Sequence, residues 1–201
     1  MKRLIAMGVA LCLSGIALAQ GPGDDLRRFR FGVKIGVPNI VGGNAEYVLP
    51  FLGNRIAPYV DYSVFSLEVD EVDTSTNFFE IGSNVYFNTQ GTGLYASLSY
   101  GKFNLEGTYT DAETIDGELF EGEATGEVDI STFNLKLGAK LGRKFYFRAE
   151  VGYGFGVIPQ EVIIRGTVNG EPQEGVEEIP DVPGIGDNGL LVANIGVGYS
   201  F

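Results

Sequence analysis

The sequence predicts an all-β fold, an eight-stranded antiparallel up-and-down transmembrane β-barrel, and three observations carry that expectation. The first is the final stretch, 190–201. Leu191, Ala193, Ile195, Val197, Tyr199 and Phe201 are apolar, and the residues between them, Val192 apart, are small or polar. A strand that is apolar on one face, Gly-rich on the other and closed by an aromatic suits a wall between lipid and a lumen. The second is that the same two-residue period recurs in seven earlier stretches. The third is composition. Gly makes up 30 of 201 residues, about twice the usual share of roughly 7%, a density poor for helices and suited to a curved sheet. No stretch beyond the N-terminal region has the ~18 consecutive apolar residues of a membrane helix. If the chain spans a membrane, it does so as a closed barrel, which satisfies every backbone polar group in lipid.

Residues 1–19 read as a cleaved signal peptide. Lys2 and Arg3 precede an apolar run from Leu4 to Ile16, and Ala17-Leu18-Ala19 forms a small-x-small cleavage site. Cys12 raises a lipoprotein site, but the bulky Leu11 before it argues against one. Removing this segment takes the formal net charge from −12 to −14 and removes the single Cys. Disulfide and thiol chemistry then drop out. So strong an acidic balance repels nucleic acid, which is not an expected partner.

Residues 20–28 form a polar leader, on the periplasmic side if the barrel is an exported one, and the barrel domain is expected over 29–201. The first strand, 29–37, sets Phe29, Phe31, Val33, Ile35 and Val37 against Arg30, Gly32, Lys34 and Gly36. A connection over 38–43 leads to a second strand, 44–50, with Ala45, Tyr47 and Leu49 opposite Asn44 and Glu46. Gly53-Asn54 marks a tight turn. The third strand, 56–69, carries Val60, Tyr62 and Val64 opposite Asp61 and Ser63, then shifts phase at Phe65, which suggests a bulge. An acidic loop is expected over 70–76.

The fourth strand, 77–88, alternates Phe79, Ile81, Val85 and Phe87 with Glu80, Gly82, Asn84 and Tyr86. The fifth starts at Leu94 with Ala96, Leu98 and Tyr100 on one face, and changes phase near Gly101. An acidic stretch over 111–127 holds an Asp116-Gly117 hairpin signal. The sixth strand, 128–141, sets Phe133, Leu135, Leu137, Ala139 and Leu141 against Thr132, Asn134, Lys136 and Lys140. After a minimal turn, the seventh strand, from Phe145 to about Val157, sets Phe147, Ala149, Val151, Tyr153 and Phe155 against Tyr146, Arg148, Glu150 and glycines. An acidic, Pro-containing connection over 159–188 precedes the last strand. Turns after the second, fourth and sixth strands are short, and those after the fifth and seventh are long. That asymmetry is the outer-membrane arrangement.

On these features the chain resembles the small eight-stranded outer-membrane barrels, the group of OmpA's membrane domain, OmpX and OmpW-like proteins. The terminal Phe201 with Tyr199 two residues earlier resembles the assembly signal of that group, read by the barrel-assembly machinery. The resemblance implies a Gram-negative cell outer membrane location, outer-membrane lipid as surroundings and a monomer. Unlike OmpA, no peptidoglycan-binding domain is expected after the barrel.

With the apolar faces turned outward, the inward set is Arg30, Lys34, Glu46, Asp61, Glu80, Lys136, Lys140, Arg148 and Glu150. Eight strands leave room for little more than side chains, and buried charges are tolerable only when paired. A lumen plugged by ion pairs is therefore expected. The competing reading of the same set is a narrow channel for small or apolar solutes, as in OmpW-like proteins. A lipocalin-like binding barrel would need an apolar interior, which this set denies. Catalytic residues are not expected, because the sequence has no His and a Ser-His or Asp-His site cannot be built. Neither is a cofactor. The acidic loops raise a calcium site, but Asp70-Glu71-Val72-Asp73 and 171–181 lack the spacing and turn Gly of a calcium loop, and no metal is expected. Tyr47, Tyr62, Tyr100, Tyr153, Tyr199 and Phe201 read as interfacial girdle aromatics. The function expected from these features is that of a structural or surface-interaction barrel whose acidic loops face outward, with a surface partner the sequence does not name.

Overall fold

A computed structural model describes residues 26–69, 72–115, 118–168, 171–179 and 184–201. The chain forms a closed, all-antiparallel eight-stranded barrel. Its staves are β1 (Phe29–Val37), β2 (Ile40–Tyr47), β3 (Ile56–Val69), β4 (Val72–Tyr86), β5 (Gly93–Ile115), β6 (Glu118–Gly142), β7 (Phe145–Phe155) and β11 (Gly189–Ser200). Each pairs with the next, β7 pairs β11, and β11 returns to β1. Closure leaves no open edge around the barrel.

Alternation builds the wall as expected. On β7 the odd-numbered residues stand outward and the even-numbered ones inward, so that Phe145, Phe147, Val151 and Phe155 are exposed while Tyr146, Arg148 and Glu150 are buried. The exposed outer face is dominated by apolar side chains, from Phe31, Val33 and Ile35 on β1 round to Val197 on β11. Two aromatic rows edge this surface. Near the chain ends, Tyr199 lies between Phe145 and Phe201, and Phe201 also meets Phe31. At the far end Tyr100 packs on Phe133 and Tyr153 on Phe155. From Phe145 to Phe155, at about 3.3 Å per residue and the roughly 40° tilt of such barrels, the band is roughly 25 Å tall. That matches the hydrocarbon thickness a membrane barrel must cover.

The last strand closes against the first. Phe31 pairs with Tyr199 and Val33 with Val197, and the Phe201 N–H donates to the Phe29 carbonyl at 2.7 Å. Within the expected leader, residues 26–28 lie against this end of the barrel. Arg28 is buried, donating to the Val48 carbonyl and to Asn54 Oδ1.

The structure corrects several sequence expectations. The connection over 38–43 is only the turn at Pro38 and Asn39, and β2 begins at Ile40 and ends at Tyr47, short of Pro50. The expected loop over 70–76 is mostly strand, since β4 starts at Val72. The bulge at Phe65 and the phase break near Gly101 are absent, because β3–β4 and β4–β5 keep one register from end to end. The pattern changes there for another reason. β3 to β6 run past the aromatic rows, where the outer face is no longer uniformly apolar and the inner face no longer meets the charged lumen.

The acidic segments are also strands. β5 and β6 stay paired from Gly93–Lys140 to Ile115–Glu118, so 111–127 is a hairpin, and its Asp116-Gly117 tip lies outside the described residues. The connection over 159–188 contains a second hairpin, β8 (Glu161–Val168) with β9 (Glu171–Glu178), and a short β10 (Ile185–Gly186). β8 pairs with the outer part of β6, from Gly122–Val168 to Gly126–Ile164.

Candidate functional site: the charged lumen and its two lids

All nine inward charges expected from alternation are buried, and they meet in one lumen. Seven buried ion pairs join them among the described residues, in two groups.

The first group centres on Glu46 of β2. Arg30 and Lys140 each reach its Oε1 at 2.6 Å, and Arg148 pairs with its Oε2. Tyr86 Oη donates to the same carboxylate at 2.9 Å and Asn84 Nδ2 at 2.7 Å. β1, β2, β4, β6 and β7 all contribute a side chain to this cluster.

The second group has the reverse balance, with three carboxylates on two ammonium groups. Lys34 pairs with Asp61 and, at 2.8 Å, with Glu150. Lys136 lies 2.7 Å from Glu80 and 3.3 Å from Glu150. Neutral donors finish the shell. Tyr59 Oη donates to Glu80 at 2.9 Å, Tyr95 Oη to Glu150 at 2.8 Å, and Asn194 Nδ2 to Glu150 at 3.2 Å. Asn44 joins the groups, accepting from Arg148 at 3.0 Å and donating to Asp61. The cation-rich and carboxylate-rich groups thus offset all but one of their charges across one bridging amide.

Four inward tyrosines complete the lumen, and a charge-based reading overlooks them as part of the network. Each of the five cations sits over a tyrosine ring. Lys140 lies 4.8 Å from the Tyr86 centroid and 5.1 Å from Tyr146, Lys136 5.1 Å from Tyr59, and Arg148 5.6 Å from Tyr95. Arg30 and Lys34 share Tyr86 and Tyr59. Such contacts gain strength when desolvated. The signal was present: Tyr59 and Tyr95 share parity with Asp61 and Ser97. Glycine makes room for these rings. A Cβ on Gly138 would lie 2.4 Å from Cζ of Tyr95.

Apolar clusters close both ends. At the end holding the short turns, Val48, Ala57, Tyr86 and Tyr95 pack together with Leu26 against them. Arg30 also donates to the carbonyls of Gln90 and Gly91 in the turn after β4, drawing that turn over the opening. At the other end Ile130, Ile158, Leu190 and Val192 form a second cluster.

Of the expected girdle aromatics, Tyr62, Tyr100, Tyr153 and Phe201 are exposed, and Tyr47 and Tyr199 are half-buried by neighbouring rings. Among the described residues no group of three or more Asp, Glu, His or Cys side chains converges as a metal site. Asp70 and Glu71 of the weighed calcium loop lie outside them.

No protein-family model and no curated protein matches this sequence. Among solved structures, a major outer membrane protein from Thermus thermophilus is similar at 11% identity and a TM-score of 0.47, with 86% of this chain and 99% of that chain covered.

Proposed function

We propose that this protein is an outer-membrane β-barrel with a structural or surface-interaction role, its lumen plugged by ion pairs and its acidic hairpins presented outside the cell. The carrying observation is the lumen. Nine charged side chains and four tyrosines fill it, every charge is paired, and an apolar cluster lies at each end. A conducting pore needs a hydrated path, and eight strands give little space for one.

Location rests on the signal-peptide pattern of residues 1–19, the apolar outer band and the Tyr199–Phe201 ending, which resembles the assembly signal of small outer-membrane barrels. Both chain ends and the short turns lie on the periplasmic side in this reading, which puts β8, β9 and the β5–β6 hairpin outside. The protein is a monomer in lipid, without catalysis. No His is available for a Ser-His or Asp-His pair, and the buried carboxylates are each engaged by cations.

Two measurements test this. The protein should fractionate with outer membranes and migrate as a compact band on unheated gels, and recovery of a soluble folded form would refute the location. Proteoliposomes carrying it should swell in arabinose no faster than protein-free vesicles. Swelling at a porin's rate would replace the plugged scaffold by the channel reading.

A further inference from the structure

Beyond the plugged lumen, a second interior space lies at the opposite end from the chain termini. Above the last charged layer the inner face of the β5–β6 hairpin turns apolar. Its cross-strand pairs there are Phe103–Ile130, Leu105–Val128, Gly107–Gly126 and Tyr109–Ala124. β8 pairs with β6 and brings Val162 and Ile164 to the same side, while Ile163 and Arg165 face out. Ile158 and Ile130 form a floor that belongs to the upper apolar cluster. Together they line a half-open cavity of about 460 Å³, within the roughly 300–1,000 Å³ range of small-molecule sites.

Three features identify what this cavity takes. Its wall is mostly hydrocarbon, from β5, β6 and β8, with Thr74, Thr108 and Gln160 as polar interruptions, and a hydrocarbon wall offers water few partners. The space exists because two facing residues lack side chains. A Cβ on Gly107 would meet nothing within 4 Å, and one on Gly126 would rest 3.2 Å from Val162 and 3.7 Å from Ile164. Finally, among the described residues the charged members of the lining are Glu178 and Asp187, and the lining holds no Lys or Arg. In partly exposed surroundings two carboxylates disfavour an anion over a neutral molecule of the same shape.

We infer that this cavity is a binding site for a small apolar molecule that carries no anionic group. The apolar floor separates it from the ion pairs, so the site is a terminal pocket rather than the entrance to a path.

Isoleucine methyl NMR of the full-length mature protein in lipid nanodiscs tests this, because one residue type reports on both environments. Ile130, Ile158, Ile164, Ile179 and Ile185 line the cavity. Ile35, Ile81 and Ile195 face outward in the lipid band. Titration with 1-decanol should give saturable shifts in the first set, while the second set drifts linearly with alcohol dissolved in the bilayer. Decanoate should need at least fivefold higher concentration. Gly107→Leu fills the space without a backbone clash, and should abolish the saturable shifts while the lipid-facing spectrum stays unchanged. Equal behaviour of both sets, decanoate binding as well as decanol, or undiminished binding by Gly107→Leu would each overturn the proposal. Conductance does not enter this readout, so its failure leaves the plugged-lumen reading standing.

Discussion

Glu46 carries more of the lumen than any other side chain, because three cations and two neutral donors converge on its two oxygens. Replacing it with Gln keeps the shape and leaves Arg30, Lys140 and Arg148 facing one another in a desolvated space. Breaking a buried ion pair from one side costs roughly 3 to 5 kcal/mol. Glu46→Gln should lower the unfolding midpoint in lipid far more than Glu174→Gln, whose partner Arg165 is 2.9 Å away but exposed. A paired substitution tests the ring packing. Gly138→Ala drives a methyl group into Tyr95 and should destabilise by about 1–3 kcal/mol, whereas Gly107→Ala meets open space and should leave the midpoint nearly unchanged. At this scale the sequence was largely legible, since two-residue parity places all nine charges inside. Lys136 and Glu150 pair between the neighbouring strands β6 and β7, and Glu46 and Arg148 pair across the lumen. The threefold convergence on Glu46 was not legible, because strand stagger, and not parity, sets which charges share a level.

At the scale of elements, β1, β3 and β11 are readable almost to their ends because one face is exposed and apolar and the other lines a polar lumen. The outer parts of β5 and β6 and the whole β8–β9 hairpin escape that logic. Beyond the aromatic rows no face has to be apolar, so Glu, Thr and Gly alternate without a contrast that periodicity can detect. The β-branched run Val162-Ile163-Ile164 was the one local signal for β8. These hairpins also decide the orientation, which single cysteines can report, since the chain after residue 19 has none of its own. Glu174→Cys, on exposed β9, should react with a membrane-impermeant maleimide on intact cells. Arg143→Cys, in the short turn after β6, should react only after the outer membrane is opened. The reverse pattern would invert the topology.

For the whole molecule, the barrel reads as a cylinder with an apolar outside and a charged inside, its interior layered from apolar lid to ion pairs to apolar lid. The layering explains why many buried charges are compatible with one closed structure. Each lid removes water, which strengthens the pairs between them, and five of the seven pairs tie non-adjacent strands, among them β2 to β7 through Glu46–Arg148 and β4 to β6 through Glu80–Lys136. The fold class was legible because a closed membrane barrel imposes one period on most of the chain. The lids were not, because Val48, Ile158 and Leu190 lie at strand ends where alternation stops. The most direct measurement of the closed lumen is single-channel recording on the refolded wild-type protein in a planar bilayer. The expected result is a silent membrane at every applied voltage the bilayer withstands. Stable, stepwise conductance of porin size would contradict it and show that the ion pairs line a water-filled path.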